Sequence, residues 1–259
     1  MKSIKIFIHI PELPGWADVL DELVNLIDAS GLYQAAENLY LCGNGPLKTY
    51  LQWDIGKKSR DNTFFANLPN DMEMSPWLWI ARKNLPKILY SQVSTHCGLY
   101  EYPTLDALQK HINSESKDFN VLYIHLKGVS KPNNINITHW RRFMTWALIE
   151  RWQECVNKLE EYDCAGCNWE LNPWPHFSGN FWWATSNYLR KLPKLQDPYA
   201  SIRENSTMFK RHDAGGLPVW KFDYEAWIGS KSPRYFQIAK SFDIGATHYN
   251  RPYPQELYR

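Results

Sequence analysis

The end of one apolar segment combines a titratable side chain, a cation and a glycine. Residues 121–124 are apolar or aromatic, and His125, Lys127 and Gly128 follow them closely. If this segment is a central strand, it brings a hydrogen-bond donor, a positive charge and an approachable backbone to the carboxyl edge of the sheet. Such an edge suits an anionic ligand such as a diphosphate. A solvated strand end with an ordinary lysine would have the same sequence.

A second candidate is a polar turn that leads into an aromatic strand. His176, Ser178 and Asn180 can donate and accept hydrogen bonds, and residues 181–184 form a short apolar run typical of a buried strand. Gly179 and Asn180 tolerate the positive φ angles of a tight turn. The turn could hold a hydroxyl-rich ligand. Packing of a core strand is the alternative, since most buried aromatic residues serve packing.

Two carboxylates near the C-terminus are candidates for proton transfer. Asp223 and Glu225 lie at the predicted start of a helix, with Tyr224 and Trp227 beside them. Partial burial among aromatic rings would raise a carboxyl pKa, which is one way to tune a general base. An acidic residue in the first turn of a helix can also serve only the helix dipole.

The composition is that of a folded protein with a large core and a nearly neutral surface. The chain has 259 residues, 44% of them hydrophobic, enough for one large domain or two fused halves. Its formal net charge is +2, which disfavours nucleic-acid binding. The chain has 13 Trp, 15 Tyr and 11 Phe, an aromatic content that suits sugar binding, although most rings are expected in the core.

The cysteines indicate a reducing compartment. Five of them, at positions 42, 97, 155, 164 and 167, form no disulfide framework. The N-terminal apolar run is too short for a secretory signal or a membrane span, so we expect a cytoplasmic protein without a transmembrane segment. Cys164, Cys167 and His176 could supply three zinc ligands, but structural zinc needs four, so we predict no metal site here.

The pattern of apolar residues predicts an α/β fold. Strand, helix and strand alternate at the N-terminus, which indicates a parallel βαβ unit and a mainly parallel central sheet flanked by helices. We expect Thr104 and Thr138 to cap two later helices. The predicted strands are residues 5–10, 38–42, 88–90, 121–128 and 181–184; the predicted helices are 16–29, 77–80, 104–112, 138–159, 187–192 and 203–211, with a flexible connection at 212–216.

Five segments in this order resemble a family of GT-A-type nucleotide-sugar glycosyltransferases found in bacteria and in large DNA viruses of algae. The matching segments are residues 123–128, 140–144, 166–169, 176–184 and 224–229, of which 176–184 is the most specific. The resemblance implies a GT-A-like single domain over residues 1–259. Residues 1–135 would form the nucleotide-sugar-binding half and residues 136–259 the acceptor half, in one continuous sheet.

The resemblance also implies an activity. It predicts a hexosyl- or pentosyltransferase of glycan biosynthesis that moves a sugar from a nucleoside-diphosphate donor to a hydroxyl of a glycan or glycoconjugate. Glu225, or failing that Asp223, would act as the base. The binding residues are then expected to be His9, His125, Lys127 and Gly128 for the donor, and His176, Ser178, Gly179, Asn180 and Trp182 for the sugar and acceptor.

One feature departs from the family pattern. GT-A enzymes commonly carry an Asp-x-Asp pair whose carboxylates bind a divalent cation, and this cation neutralises the donor diphosphate. The chain has no Asp-x-Asp. Metal dependence is therefore open, and we hypothesise metal-independent transfer in which Lys127, with or without His125, replaces the metal's charge.

Two other classes of protein remain as alternatives. A non-enzymatic carbohydrate-binding protein would explain the aromatic content, but it would more typically be an all-β sandwich. A different nucleotide-dependent transferase, such as a sulfotransferase, should carry a phosphate-binding loop after the first strand, and residues 9–14 do not form one.

Overall fold

The computed structural model describes residues 2–45, 76–83, 85–95, 97–195, 221–242 and 245–259. The helical piece predicted at residues 203–211 and the connection predicted at 212–216 lie outside these ranges. Within them, none of the helices combines the length and the apolarity that crossing a membrane requires.

The described residues fold around one seven-stranded sheet. Its strand order is β3-β2-β1-β4-β8-β5-β9, and β8 alone runs antiparallel to its two neighbours in this sheet. A second, two-stranded sheet pairs β6 with β7. The strands are β1 (Ser3–Pro11), β2 (Asn38–Asn44), β3 (Ile88–Ser94), β4 (Phe119–His125), β5 (Cys164–Cys167), β6 (Trp169–Glu170), β7 (His176–Phe177), β8 (Trp182–Thr185) and β9 (Tyr235–Ala239).

Helices lie between successive strands from β1 to β5 and again between β8 and β9. The α-helices are α1 (Trp16–Ala29), α2 (Leu32–Ala35), α3 (Pro76–Lys83), α4 (Tyr102–Ser114), α5 (Ile135–Thr145), α6 (Trp152–Lys158), α7 (Ser186–Leu189) and α8 (Lys221–Ala226). One π-helical turn, Trp146–Glu150, joins α5 to α6, and 3₁₀ turns occur at Cys97–Leu99, Trp227–Gly229, Gly245–Tyr249 and Gln255–Leu257. The mixed α/β class and the mainly parallel sheet predicted from the sequence are confirmed.

A hydrophobic core lies on each face of the sheet. Ile4, Ile6, Ile8 and Ile10 of β1 belong to the core that includes apolar residues of α1, α5 and α6, whereas Phe7 belongs to the opposite core with residues of α4 and α7. β1 is buried on both faces, as expected for a strand in the middle of a parallel sheet. The first four strands come from residues 1–135 and the other three from residues 136–259, so one sheet runs through both predicted halves.

The two predicted helix caps are wrong. Pro103 lies in the first turn of α4, which begins at Tyr102, so Thr104 is inside the helix instead of at its cap. The side chain of Asn134 caps α5 by accepting hydrogen bonds from the backbone N–H groups of Asn136 and Ile137, which places Thr138 one turn inside that helix. β4 also ends earlier than predicted, at His125.

The capping assignment can be tested by unfolding. Asn134→Ala should lower the free energy of unfolding in urea by about 1 kcal/mol, because two backbone N–H groups lose their acceptor. Thr138→Ala and the exposed neighbour Asn133→Ala should each change it by less than about 0.5 kcal/mol. A loss in Thr138→Ala as large as that in Asn134→Ala would contradict the assignment.

Candidate functional site

The candidate site lies where the carboxyl ends of β1 and β4 meet. Chain connections leave these neighbouring strands in opposite directions, since β1 leads to β2 on one side while β4 leads to β5 on the other. In open α/β sheets, ligands bind in the crevice outside such a switch point. His9 of β1 and His125 of β4 are paired in register at this place.

His9 is buried beneath the site. Its Nδ1 lies 2.8 Å from Oγ1 of Thr104, a residue inside α4. Burial, followed by the influence of His125, lowers the pKa of His9 to about 3. The ring is therefore neutral at pH 7 and would contribute no positive charge to a bound diphosphate.

His125 is also neutral, and its proton position can be assigned. Its Nε2 lies 2.9 Å from the carbonyl oxygen of Gly179, which can only accept, so Nε2 carries the hydrogen. Burial and then the charge of Lys127 lower the pKa of His125 to about 3. The same Nε2 is 3.5 Å from Oε1 of Glu101, a distance that would suit an ion pair, but a neutral ring does not form one.

Lys127 places a positive charge at the centre of the site. Its Nζ lies 3.9 Å from the centroid of the Trp140 ring and 5.9 Å from that of Tyr249. Together with burial, which is the larger cause, its charge lowers the pKa values of His176 and His248 as well as that of His125. Lys127, which the sequence analysis assigned to a diphosphate, therefore lies beside two aromatic rings, whose faces attract a cation.

Two glycines of the predicted site are required by packing. Gly128 has φ +92°, and a Cβ there would lie 3.0 Å from Cγ2 of Ile137. Gly179 has φ +93°, and a Cβ there would lie 2.6 Å from Sδ of Met144 and 3.1 Å from Cζ2 of Trp140. Both glycines therefore let their loops approach α5, which accounts for these residues without reference to a ligand.

The turn and the aromatic strand predicted within residues 176–184 are confirmed by the positive φ angles of Gly179 and Asn180 and by β8, although His176 and Phe177 belong to β7. Asn180 has φ +55° and is 1% exposed. Its Oδ1 accepts a 2.9 Å hydrogen bond from Nε1 of Trp182, and its Nδ2 donates to Oε2 of Glu101. Trp182 is equally buried and stacks on Tyr123 with 5.0 Å between the ring centroids. Asn180 and Trp182 thus lie under the site as a hydrogen-bonded layer.

His176 and Ser178 hold the start of the turn. Nδ1 of His176 donates a 2.8 Å hydrogen bond to the carbonyl oxygen of Trp174, so Nε2 keeps its lone pair. The backbone N–H of Ser178 donates to the carbonyl oxygen of Asn168 at 2.9 Å, and Ser178 is buried. These contacts fix the turn against the short hairpin of β6 and β7.

The predicted base, Glu225, lies near this turn. Its charge is among the causes that raise the pKa of Tyr123, after burial and Glu101, and it opposes the burial that lowers the pKa of His176. Glu225 is half-buried on α8, whereas Asp223 is buried. The next turn packs closely on the segment before His176, since a Cβ at Gly229 would lie 2.0 Å from the carbonyl oxygen of Pro175.

Sequence reasoning missed Glu101. It occupies the N-cap position of α4 but makes no side-chain capping bond. Its Oε2 instead accepts hydrogen bonds from Nδ2 of Asn180 and, at 2.9 Å, from the hydroxyl of Tyr123. Pro103 was the available signal, because proline in a first turn marks a helix start and would have placed Glu101 at the cap.

The described residues contain no group of three or more His, Cys, Asp or Glu side chains arranged to hold a metal ion. Cys164 and Cys167 illustrate why the zinc hypothesis does not apply to them. They lie three positions apart on β5 and belong to the cores on opposite faces of the sheet, so they cannot bind the same metal ion.

Fold and site together define an α/β protein with a polar site at the switch point of a mostly parallel sheet. Residues 81–234 match the family model described as a domain of unknown function, DUF8361, and because they make up more than half of the chain, the protein belongs to that family. The matched range includes Glu101, His125 and Glu225 but not His9. A search of curated proteins found no match.

The buried amide of Asn180 can be tested with a substitution that keeps its backbone angle. Asn180→Gly should lower the free energy of unfolding by about 1–3 kcal/mol, because Trp182 Nε1 and Glu101 each lose a partner. Ser232, exposed and at φ +48°, provides the control for glycine at a positive φ. If Ser232→Gly and Asn180→Gly change the free energy of unfolding equally, the side-chain amide of Asn180 does not contribute to stability.

The buried histidines predict a pH dependence of stability. Below their ordinary pKa of 6.5, the unfolded chain takes up protons that folded His9 and His125 do not bind until pH about 3. Stability should therefore fall as the pH is lowered from 6.5 towards 3, by about 1.4 kcal/mol per pH unit for each histidine. In urea unfolding between pH 7 and pH 4, the free energy of unfolding of His125→Gln should depend less steeply on pH than that of the wild type. An unchanged slope would contradict the assignment.

Proposed function

We propose that this protein is a glycosyltransferase that moves a sugar from a nucleoside-diphosphate donor to a hydroxyl of a glycan or glycoconjugate. One observation carries the proposal: three segments that resemble the GT-A-type enzymes, at residues 123–128, 176–184 and 224–229, come together at the switch point. Nε2 of His125 hydrogen-bonds to the carbonyl oxygen of Gly179, and the 224–229 segment packs against the residue before His176, since a Cβ at Gly229 would lie 2.0 Å from the carbonyl oxygen of Pro175. This is the place where α/β sheets bind nucleotide ligands.

The architecture supports the same proposal. The resemblance implies one continuous sheet shared by a donor half and an acceptor half, and the sheet does run through both halves of the chain. Helices lie against both cores of a mostly parallel sheet, unlike the all-β sandwich that a simple carbohydrate-binding module would more typically have.

In the proposed reaction, the bond between the anomeric carbon and the diphosphate oxygen breaks, and its electron pair leaves with the nucleoside diphosphate. The acceptor oxygen forms the new bond to that carbon. Glu225 takes the acceptor proton, with Asp223 as the second choice. Lys127 offsets the negative charge that builds on the leaving diphosphate, and His9 and His125 add no charge to it because both are neutral.

Incubation with a panel of nucleotide sugars tests the activity. The wild-type protein should release the nucleoside diphosphate slowly by hydrolysis, and faster with an acceptor glycan. EDTA should leave the rate unchanged if Lys127 supplies the charge. If no donor releases its nucleotide, the proposal is refuted. If EDTA abolishes the activity and Mn²⁺ or Mg²⁺ restores it, metal independence is refuted.

A pair of lysines provides a matched test of the leaving-group role. Lys127→Met should lower turnover by about 100-fold, because one charged donor to a developing anion is worth that much. Lys131→Met is the control: its Nζ lies 4.9 Å from the Tyr249 ring, and it should stay within about threefold of wild type. Glu225→Gln should also lose turnover, and normal turnover in this variant would exclude Glu225 as the base.

A further inference from the structure

Glu101 connects the two most distinctive motifs of the chain. It belongs to neither, but its carboxylate accepts hydrogen bonds from the hydroxyl of Tyr123 on β4 and from the side-chain amide of Asn180 in the turn before β8. It also lies 3.5 Å from Nε2 of His125. The side chains of Glu101 and His125 are 16% and 13% exposed, so both reach the crevice while Tyr123 and Asn180 are buried below.

The two oxygens of this carboxylate have different surroundings. Oε2 accepts the bonds from Tyr123 and Asn180, which orient the group. Oε1 is the oxygen near His125, whose Nε2 hydrogen is donated to Gly179. A carboxylate oxygen has two lone pairs, so Oε1 can accept a hydrogen bond from a ligand hydroxyl in addition to its contacts within the protein.

Oε2 of Glu101 accepts two hydrogen bonds from neutral donors, an arrangement that suits an ionised carboxylate. Hydrogen bonds donated to a carboxylate stabilise its ionised form. Burial, followed by the charge of Glu101, raises the pKa of Tyr123 well above its usual range, so the phenol keeps its proton and remains a donor. An anion whose orientation is fixed in this way is suited to electrostatic stabilisation of a positive charge.

We infer that Glu101 is a catalytic carboxylate that contacts the transferred sugar and stabilises the positive charge developing at its anomeric carbon. The inference rests on the proposed glycosyl transfer. As the bond to the diphosphate breaks, the sugar acquires oxocarbenium character, and a fixed anion beside it lowers the barrier. Glu101 neither gains nor loses a proton in the step, and the acceptor proton still goes to Glu225.

Tyr123 and Asn180 then have a positioning role. They hold Oε2 from below, so that the orientation of the carboxylate is determined by buried groups of β4 and the turn. The neutral state of His125 fits the same arrangement, because a protonated imidazole at 3.5 Å would cancel the charge of Glu101.

Steady-state kinetics on the full chain test the inference. Glu101→Gln keeps the shape and a carbonyl acceptor for Tyr123 but removes the charge. It should lower kcat by about 100-fold or more while the KM for the donor stays within about threefold. Glu101→Asp keeps the charge and should retain at least about tenfold more activity than the glutamine variant. Tyr123→Phe, which removes one orienting bond, should lose less than about tenfold.

The controls separate a catalytic role from a structural one. Glu160 is an exposed acid on the turn after α6, and Glu160→Gln should behave as wild type. Thermal unfolding shows whether each variant is folded. If Glu101→Gln is not folded, Glu101→Asp is compared with Tyr123→Phe instead. The aspartate variant should then keep the wild-type KM for the donor and have a reduced kcat.

Two results would overturn the inference while the proposed function stands. The first is a wild-type kcat in Glu101→Gln. The second is an equal loss in Glu101→Gln and Glu101→Asp accompanied by a raised donor KM, because geometry and not charge would then be the cause. Failure of the wild-type protein to release nucleotide from any donor would instead refute the proposed function, and this inference with it.

Discussion

The parallel pairing of β1 with β4 is the constraint on which the rest of this structure depends. β1 is covered on both faces and on both edges, so its backbone groups are satisfied only if β2 and β4 pair with it in register. The chain must then cross from one side of β1 to the other between β3 and β4. That crossing creates the switch point, and it brings α4, with Glu101 at its start, over the ends of the central strands.

The same pairing explains why the histidines at the site are neutral. Register places His9 directly beside His125, and Lys127 follows two residues later. Three positive charges in so small a buried volume would repel one another at low dielectric, so burial and proximity leave the charge on the lysine. The histidines then serve as hydrogen-bonding groups, one towards Thr104 and one towards Gly179.

The sequence predicts the elements of this fold better than it predicts their contacts. The alternating isoleucines of β1 and the apolar stripe of α1 depend on local periodicity, and both elements are where the pattern places them. Glu101, in contrast, interacts with residues 22 and 79 positions away along the chain. No local pattern encodes such a contact. For the same reason, the sequence predicted that Thr104 caps its own helix, whereas its hydroxyl contacts His9 of β1.

Burial also separates two groups of polar residues that look alike in the sequence. Asn180 and Trp182 are the most distinctive part of the turn, and both are almost inaccessible with their polar atoms bonded to each other and to Glu101. A buried polar network is costly unless every member is satisfied, so its residues and spacing are tightly restricted. A motif of this kind therefore records the support of a site more strongly than its ligand-facing surface. Of the groups that we propose to face the ligand, His125 and Lys127 could be placed at a strand end from the sequence, whereas the position of Glu101 becomes evident only when the chain is folded.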